Sequence, residues 1–161
     1  CVIFGFDGEV LKVLLVERGG EPYKGCWAFP GGFLNMDETT DECAVRELEE
    51  ETGLRDVFVE QLQVFSGVDR DPRGRTITVA YYALVNPVGI KVAGYDDAAD
   101  ARWFPLSDMP SLAFDHEHVL LVALHRLALK VYLQLNGIEE LDEHFKGFDL
   151  KRLQDLIPDK L

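Results

Sequence analysis

The chain is poor in basic residues and in cysteines. Its 161 residues include 16 lysines and arginines against 29 aspartates and glutamates, which gives a net charge of −13. This balance argues against a nucleic-acid-binding surface, which needs clustered positive charge. The three cysteines are too few and too scattered for a disulfide framework or a zinc site. We therefore expect a protein of the reducing cytoplasm.

Signals for secretion and for membrane insertion are also missing. The first residues do not have the layout of a signal peptide, and we find no apolar run long enough to span a bilayer. The chain starts at Cys1, without a methionine and inside an apparent strand, so we expect it to be part of a longer protein. Its length predicts one domain with a sizeable core.

Apolar and β-branched segments predict a β-sheet. Residues 1–6 and 10–18 are typical of two strands joined by a short Asp-Gly-Glu turn, and we expect this hairpin at the centre of the sheet. Residues 57–67 and 76–85 alternate in polarity and predict two further strands. A short strand at 102–106 completes the predicted set.

Carboxylates are concentrated on one predicted helix. Residues 37–51 hold eight of them and a single arginine, Arg46. Thr39 and Glu42 have the spacing of a capping box, which predicts where the helix begins. Gly53 predicts its end, because glycine adopts the left-handed conformation that commonly follows a last helical turn. The segment therefore predicts an acidic helix between Thr39 and Gly53.

Three of these carboxylates share one helix face. Glu50 and Glu51 follow Glu47 by three and four residues, and like charges at this spacing repel unless a cation lies among them. A charge run is more often simply solvated. Here a Pro-Gly-Gly segment allows close backbone approach, and Arg46 is placed to hold a carboxylate. We therefore favour a hard divalent cation such as Mg²⁺ or Mn²⁺.

The segment from Gly32 to Leu54 matches every position of a known motif, G-x5-E-x7-R-E-U-x-E-E-x-G-U, where U is an aliphatic residue. This motif is the Nudix box, and the chain resembles the Nudix hydrolases from its first hairpin to its late tryptophan strand. The resemblance implies an α/β (α+β) fold with a mixed β-sheet in an α/β/α sandwich. It also implies metal-dependent hydrolysis of a nucleoside diphosphate linked to another moiety.

The resemblance also assigns roles within the box. It implies that Arg46 pairs with Glu38 and belongs to the catalytic site together with the three glutamates of the acidic face. The cofactor it implies is Mg²⁺ or Mn²⁺. The implied metal ligands are one backbone carbonyl and three carboxylates: Gly32, Glu47, Glu50 and Glu51.

A loop between two predicted strands carries three arginines, between Gly67 and Arg75. Arginine forks match phosphate geometry, although charge alone is equally consistent with a solubilising loop. The order D-x-x-x-R-G-R resembles the loop of Nudix proteins of the ADP-ribose pyrophosphatase type. We therefore expect Arg73 and Arg75 to bind substrate, with the alternative that either holds the loop together. The implied reaction converts ADP-ribose to AMP and ribose 5-phosphate.

Residues 87–100 form a second candidate loop, with aspartates at 96, 97 and 100. The resemblance implies an additional carboxylate here, acting as metal ligand or general base. We choose Asp97, because a loop side chain can reach the attacking water when the loop closes. A glutamate is commoner in the family at this place, and a solvated loop explains the charge equally well.

From Phe114 the pattern becomes helical, with Asp115 as the expected N-cap. We assign 1–135 to a Nudix domain and 136–161 to a helical extension. The ending resembles Nudix-related transcriptional regulators, whose Nudix-like domain senses a sugar nucleotide ahead of a winged helix. The intact box favours an enzyme over such a sensor, and the arginine loop disfavours an enzyme for oxidised nucleoside triphosphates. The resemblance also implies a homodimer acting on a small nucleotide.

Overall fold

The computed structural model describes residues 1–138 and 142–158. Within them lie a six-stranded sheet and three α-helices. The strands are β1 (Val2–Phe6), β2 (Leu11–Arg18), β3 (Trp27–Ala28), β4 (Glu60–Phe65), β5 (Thr78–Val85) and β6 (Ala98–Pro105). The helices are α1 (Thr40–Thr52), α2 (His116–Leu135) and α3 (Leu150–Leu156). The two-residue β3 lies in a segment for which the sequence predicted no strand.

The hairpin β1–β2 forms the centre of the sheet, as predicted. Its strands pair antiparallel, and the Asp7 side chain closes the turn by accepting hydrogen bonds from the amides of Glu9 and Val10 at 3.0 and 2.8 Å. β1 pairs in parallel with β5, which pairs antiparallel with β4. β2 also pairs antiparallel with β3 and β6. The sheet is therefore mixed.

Helices cover both faces of this sheet, which confirms the predicted α/β/α sandwich. Because side chains alternate along a strand, β1 contributes to two cores. Ile3 packs with Leu48 and Leu54 on the face that α1 covers. The opposite face of the sheet packs against α2 and α3 through a larger set of buried apolar side chains, among them Val2, Phe4, Phe6, Leu127, Val131 and Leu153.

α1 has the predicted ends. The Glu42 amide donates to the Thr39 hydroxyl at 3.2 Å, and the Thr39 amide donates back to the Glu42 carboxylate at 2.7 Å. Gly53 ends the helix with a φ of 74°, a left-handed conformation that glycine adopts without steric cost. Ala44 and Leu48 are buried. The capping box and the glycine stop are thus confirmed, and the two buried residues form the apolar side of the helix.

β6 is longer than the sequence predicts. The expected strand starts at residue 102, whereas β6 starts at Ala98. The reason is that β6 pairs with β2 along almost the whole length of β2, from Lys12 to Arg18. Asp100 therefore lies in a strand, and the candidate loop ends before it.

α2 begins near the predicted place, but the Asp115 side chain does not cap it. Its carboxylate instead accepts two hydrogen bonds from Arg70, at 3.0 and 2.7 Å. Asp115 is the N-cap residue, as predicted, but its side chain makes no capping hydrogen bond because the guanidinium of a distant loop binds both carboxylate oxygens, a stronger interaction than a single backbone amide provides.

By length and composition alone, α2 is long and apolar enough to cross a membrane. The expectation that the chain has no apolar run of spanning length is therefore wrong. The fold explains its apolar character, because Val119, Ala123 and Leu127 are buried in the core. On a more polar side, Arg126 and Lys130 approach the Glu60 carboxylate of β4 at 3.7 and 3.8 Å. The helix is thus a covering helix of the sheet.

Candidate active site

The glycine loop before α1 lies directly against the box carboxylates. The Gly31 amide donates a hydrogen bond to the Glu51 carboxylate at 2.8 Å. A Cβ atom on Gly32 would lie 2.3 to 2.4 Å from the carboxylate atoms of Glu47, so any side chain here would displace that carboxylate. Glycine at position 32 therefore lets the backbone lie against the acidic face with Glu47 in this position.

Arg46 lies at the centre of the acidic face. Its Nε and Nη2 atoms donate to the Glu38 carboxylate at 2.8 and 2.5 Å. Its Nη1 donates to Glu47 at 2.7 Å and to Glu50 at 2.9 Å, while Nη2 also reaches the Phe33 carbonyl at 3.2 Å. The hydrogen bonds from Arg46 are the main cause that lowers the pKa of Glu38 to about 2. The structure thus brings Arg46 and Glu38 together.

Glu51 differs from the other box glutamates because it is buried, with 9% of its surface exposed. Burial is the main cause that raises its pKa to about 7, and the negative charges of Glu47 and Asp97 add to the rise. The hydrogen bond from Gly31 acts in the opposite direction. An ionised Glu51 is therefore unfavourable near neutral pH, and a neighbouring cation would relieve this cost.

The chemistry of these donors fits a hard divalent cation. Glu47, Glu50 and Glu51 offer carboxylate oxygens, which such cations prefer, and Gly32 provides the backbone clearance. Among the residues that the structure describes, no three acidic, histidine or cysteine side chains already converge on one point. The guanidinium of Arg46 instead supplies the positive charge between Glu47 and Glu50.

Asp97 lies on a loop that packs against the C-terminal end of α1. The amides of Ala93 and Tyr95 donate to the carbonyls of Thr52 and Glu51 at 3.4 and 3.2 Å. The Asp97 side chain is exposed, yet its charge contributes to the raised pKa of Glu51. The structure therefore brings this candidate carboxylate to the edge of the box.

The arginine loop, residues 67–75, is anchored through Arg70. The Arg70 side chain is only 7% exposed. It forks onto Asp115 and donates from Nη1 to the Thr78 hydroxyl at 2.5 Å. These contacts join the loop to the beginnings of α2 and β5, so Arg70 serves the structure of the loop.

Arg73 is held by an acid and two aromatic rings. Its Nε and Nη2 atoms donate to the buried Asp71 carboxylate at 2.7 to 3.2 Å. Its guanidinium carbon lies 5.5 Å from the ring centres of Phe33 and Phe114. Because Phe33 directly follows Gly32, these contacts bring Arg73 to the edge of the acidic face. In the described part of the chain, its Nη1 atom donates to no protein group.

Arg75 makes different contacts. Its Nη1 atom donates to the carbonyls of Ser66 and Gly67 at 2.8 and 3.0 Å, so that the side chain closes the loop on itself. The residue is otherwise exposed. Of the two arginines of the R-G-R sequence, Arg75 therefore holds the loop together, whereas Arg73 reaches toward the box.

Sequence reasoning missed three residues around Arg73. Asp71 had a usable signal, because an Asp-Pro-x-Gly sequence is typical of a turn, and the Asp71 carboxylate indeed accepts from the Arg73 amide at 2.9 Å. Phe33 and Phe114 had none. The Phe114 backbone has a φ of 53°, which is rare outside glycine, and nothing in the sequence indicates it.

Comparison with known proteins agrees with the resemblance of the box to the Nudix motif. A model of the NUDIX domain matches residues 1–124. The ADP-ribose pyrophosphatase of Methanocaldococcus jannaschii is 44% identical over 109 residues, which cover 68% of this chain and 63% of that protein. The ADPR responsive transcriptional repressor NtrR of Acinetobacter baylyi is 33% identical over 159 residues, 96% of this chain and again 63% of the relative.

A solved structure shows the same likeness. The NUDIX domain of Shewanella oneidensis NrtR, solved as a complex with ADP ribose, superposes with a TM-score of 0.72 at 36% identity, over 78% of this chain and 84% of that one. The chain spans less than two thirds of the length of the two relatives named above. With the complete box, the sandwich fold and these matches together, the chain belongs to the Nudix family.

Proposed function

We propose that this Nudix domain hydrolyses the pyrophosphate bond of a nucleoside diphosphate linked to another moiety. The proposed substrate is ADP-ribose, and the products are AMP and ribose 5-phosphate. One observation carries the proposal. Arg73, fixed by Asp71 and lying over Phe33, places an unused guanidinium N–H beside an acidic face that needs a cation. A pyrophosphate bound to a divalent cation fits this arrangement, because the carboxylates bind the cation and the Arg73 N–H donates to a phosphate oxygen.

The proposed metal site consists of Glu47, Glu50, Glu51 and the Gly32 carbonyl. A Mg²⁺ or Mn²⁺ ion held there would neutralise the pyrophosphate and lower the pKa of the attacking water. Arg46 fixes the directions of Glu47 and Glu50 through its hydrogen bonds at 2.7 and 2.9 Å.

Three further residues complete the proposed site. Asp97, exposed on its loop, is the proposed general base that takes the proton from water. Arg73 donates to the phosphates, whose charge increases toward the transition state. Arg75 contributes to substrate binding by closing the loop that carries Arg73.

The test pairs hydrolysis with binding. AMP release from ADP-ribose with Mg²⁺ is measured by chromatography, and the affinity for ADP-ribose is measured by calorimetry with Ca²⁺ in place of Mg²⁺. We expect turnover by the wild type, and lower turnover together with weaker binding in Arg73→Ala and Arg75→Ala, with the larger loss in Arg73→Ala. Glu49→Gln is the matched control, because Glu49 lies on the same helix but pairs outward with Arg55.

A second function is supported by how far one match extends. The similarity to the repressor NtrR covers 96% of the chain, beyond residue 124, where the NUDIX match ends. In this alternative, residues 1–135 form a sensor domain that binds ADP-ribose with little or no turnover, and 136–161 lead toward a DNA-binding domain. Tight binding in Ca²⁺ with no AMP after prolonged incubation in Mg²⁺ would establish the sensor and reject the enzyme.

Two properties complete the proposal. We propose a homodimer, as the family resemblance implies, which light scattering of the purified chain tests directly. A cytoplasmic location agrees with three cysteines that are all free in the structure.

A further inference from the structure

Three aromatic rings from separate parts of the chain lie close to the two arginines Arg18 and Arg73. We call Tyr23, Phe33 and Phe114 the aromatic cluster. The Tyr23 and Phe114 ring centres are 4.8 Å apart, and the Arg73 guanidinium carbon lies 5.5 Å from the centres of both phenylalanine rings. Two rings of the cluster, Phe33 and Phe114, therefore lie next to the guanidinium that reaches toward the box.

Two members of the aromatic cluster are unusually exposed. Phe33 has 69% of its surface in solvent and Tyr23 has 41%. Tyr23 and Phe114 also have positive φ angles, of 62° and 53°, which side chains larger than glycine rarely adopt. Of the three rings, Tyr23 is both exposed and on strained backbone, while Phe33 is the most exposed; these features are typical of binding surfaces rather than of packing.

The cations near these rings are each held by the protein. Arg18 lies 4.8 Å from the centre of the Phe114 ring, and its Nε atom donates to the Pro22 carbonyl at 2.7 Å. Arg73 is held by the Asp71 carboxylate. In a chain with a net charge of −13, two fixed arginines beside open rings favour a ligand that is both flat and anionic.

The position of Phe33 connects the cluster to the acidic face. It follows Gly32, which contacts Glu47, and its carbonyl accepts a hydrogen bond from Arg46 at 3.2 Å. In a nucleotide only one ribose separates the base from the phosphates. A ligand whose phosphates lie between the box and Arg73 therefore has its base within reach of the Phe33 ring.

We propose that the aromatic cluster is the nucleobase subsite of this domain, with Phe33 as the ring on which a purine stacks. Phe114 acts as a positioning residue, since its ring lies against both Arg18 and Arg73. Arg70 supports it by binding Asp115, the next residue in the chain. This inference rests on the proposed function, because it takes the phosphates to lie at the box.

The test compares two ligands that share the diphosphate and differ in the nucleoside, ADP and inorganic pyrophosphate. Their affinities are measured by calorimetry in Ca²⁺ for the wild type, Phe33→Leu, Phe33→Tyr and the control Phe58→Leu. Phe58 is a matched control because it is 60% exposed and stacks on His144, outside the cluster. We expect Phe33→Leu to weaken ADP binding about tenfold, because it loses a stacking ring, and to leave pyrophosphate binding unchanged. Phe33→Tyr keeps the ring and should restore ADP binding.

A further variant separates stacking from positioning. Phe114→Leu removes the ring that lies against both Arg18 and Arg73, whereas Asp71 still holds Arg73 when Phe33 is changed, so we expect Phe114→Leu to weaken the binding of both ADP and pyrophosphate. The proposal is overturned if Phe33→Leu binds ADP as the wild type does, or if Phe58→Leu loses as much affinity. A change of the oligomeric mass of Phe33→Leu in light scattering would also overturn it, and would show instead that Phe33 belongs to an interface between copies.

The two proposals fail in different ways. If the wild type does not hydrolyse ADP-ribose but Phe33→Leu selectively loses ADP, the proposed activity is wrong and the base subsite stands. If the wild type hydrolyses ADP-ribose and Phe33→Leu leaves its KM unchanged, the activity stands and the subsite is wrong.

Discussion

The acidic helix α1 and the arginine loop carry opposite charges and are built in opposite ways. Glu47 and Glu50 on α1 and Glu38 just before it share the single guanidinium of Arg46, and among the described residues Glu51 accepts a hydrogen bond only from a backbone amide. In the loop, each arginine has its own partners, either a carboxylate or two carbonyls. The helix therefore carries uncompensated negative charge, whereas each arginine of the loop is bonded to protein groups, and in the part of the chain that the structure describes the Nη1 atom of Arg73 donates to none of them.

The difference shows which region depends on a ligand and which on the fold. α1 gains its shape from contacts within the chain segment itself and leaves its charge to be balanced from outside. The loop gains its shape from Asp115 and Thr78, which are distant in sequence or lie on another element. Changes in α1 should therefore affect metal binding and catalysis most, and changes in the loop anchors should affect stability.

The largest expected effect is that of Glu51→Gln on turnover. The change keeps the shape of the side chain and its acceptor for the Gly31 amide but removes the charge that a cation needs. We expect AMP release from ADP-ribose with Mg²⁺ to fall by about 100-fold or more, because a metal supplies several kcal/mol of charge stabilisation. Glu49→Gln should keep most of its activity, and equal losses in the two variants would contradict the assignment.

Arg70→Ala and Arg46→Ala should separate stability from catalysis. Removing Arg70 leaves the Asp115 carboxylate without its buried partner, so we expect the free energy of unfolding in urea to fall by about 3 kcal/mol. Arg46 is more exposed, and its removal should lower turnover more than stability. Under conditions where both variants are folded, a greater loss of turnover in Arg70→Ala than in Arg46→Ala would reverse our assignment of the two arginines.

Glu51 should also make the metal-free protein less stable as the pH rises. Its pKa is raised from 4.5 in the unfolded chain to about 7 in the fold, so the native state binds this proton more tightly. The stabilisation is complete below the lower value and is lost as the pH rises through the higher one. Between pH 5 and pH 8 in EDTA, we expect wild type to lose about 2 kcal/mol relative to Glu51→Gln, measured by urea unfolding. Parallel pH profiles would show that Glu51 is not the cause.

The smallest expected effect is stabilisation by the metal. A cation that binds only the folded state at ten times its dissociation constant stabilises it by about 1.4 kcal/mol. We expect Mg²⁺ or Mn²⁺ to raise the melting temperature of wild type and to have less effect on Glu51→Gln. Ionic strength is held constant with a monovalent salt. The prediction fails if both proteins respond equally.

The parts of the fold that were predicted correctly rest on local interactions. Thr39, Glu42 and Gly53 define α1 through contacts with residues three or four positions away, so its ends can be read from the sequence. The turn of the central hairpin is likewise fixed by contacts between residues two or three positions apart. Asp115 is at the predicted N-cap of α2, but its side chain makes no capping hydrogen bond because Arg70, 45 residues away, binds its carboxylate in the folded chain. The start of β6 was misplaced because β2 provides its partners.

The candidate site divides in the same way. By itself the sequence determined the acidic face, the glycine that approaches it and the family, because the box is one continuous segment whose spacing places its side chains together. The tertiary structure alone decided that Arg73 lies between Phe33 and Phe114, and that Arg70 is an anchor. These contacts join segments that are far apart in the chain. Whether two such residues meet depends on how the backbone between them folds, which local sequence spacing does not indicate.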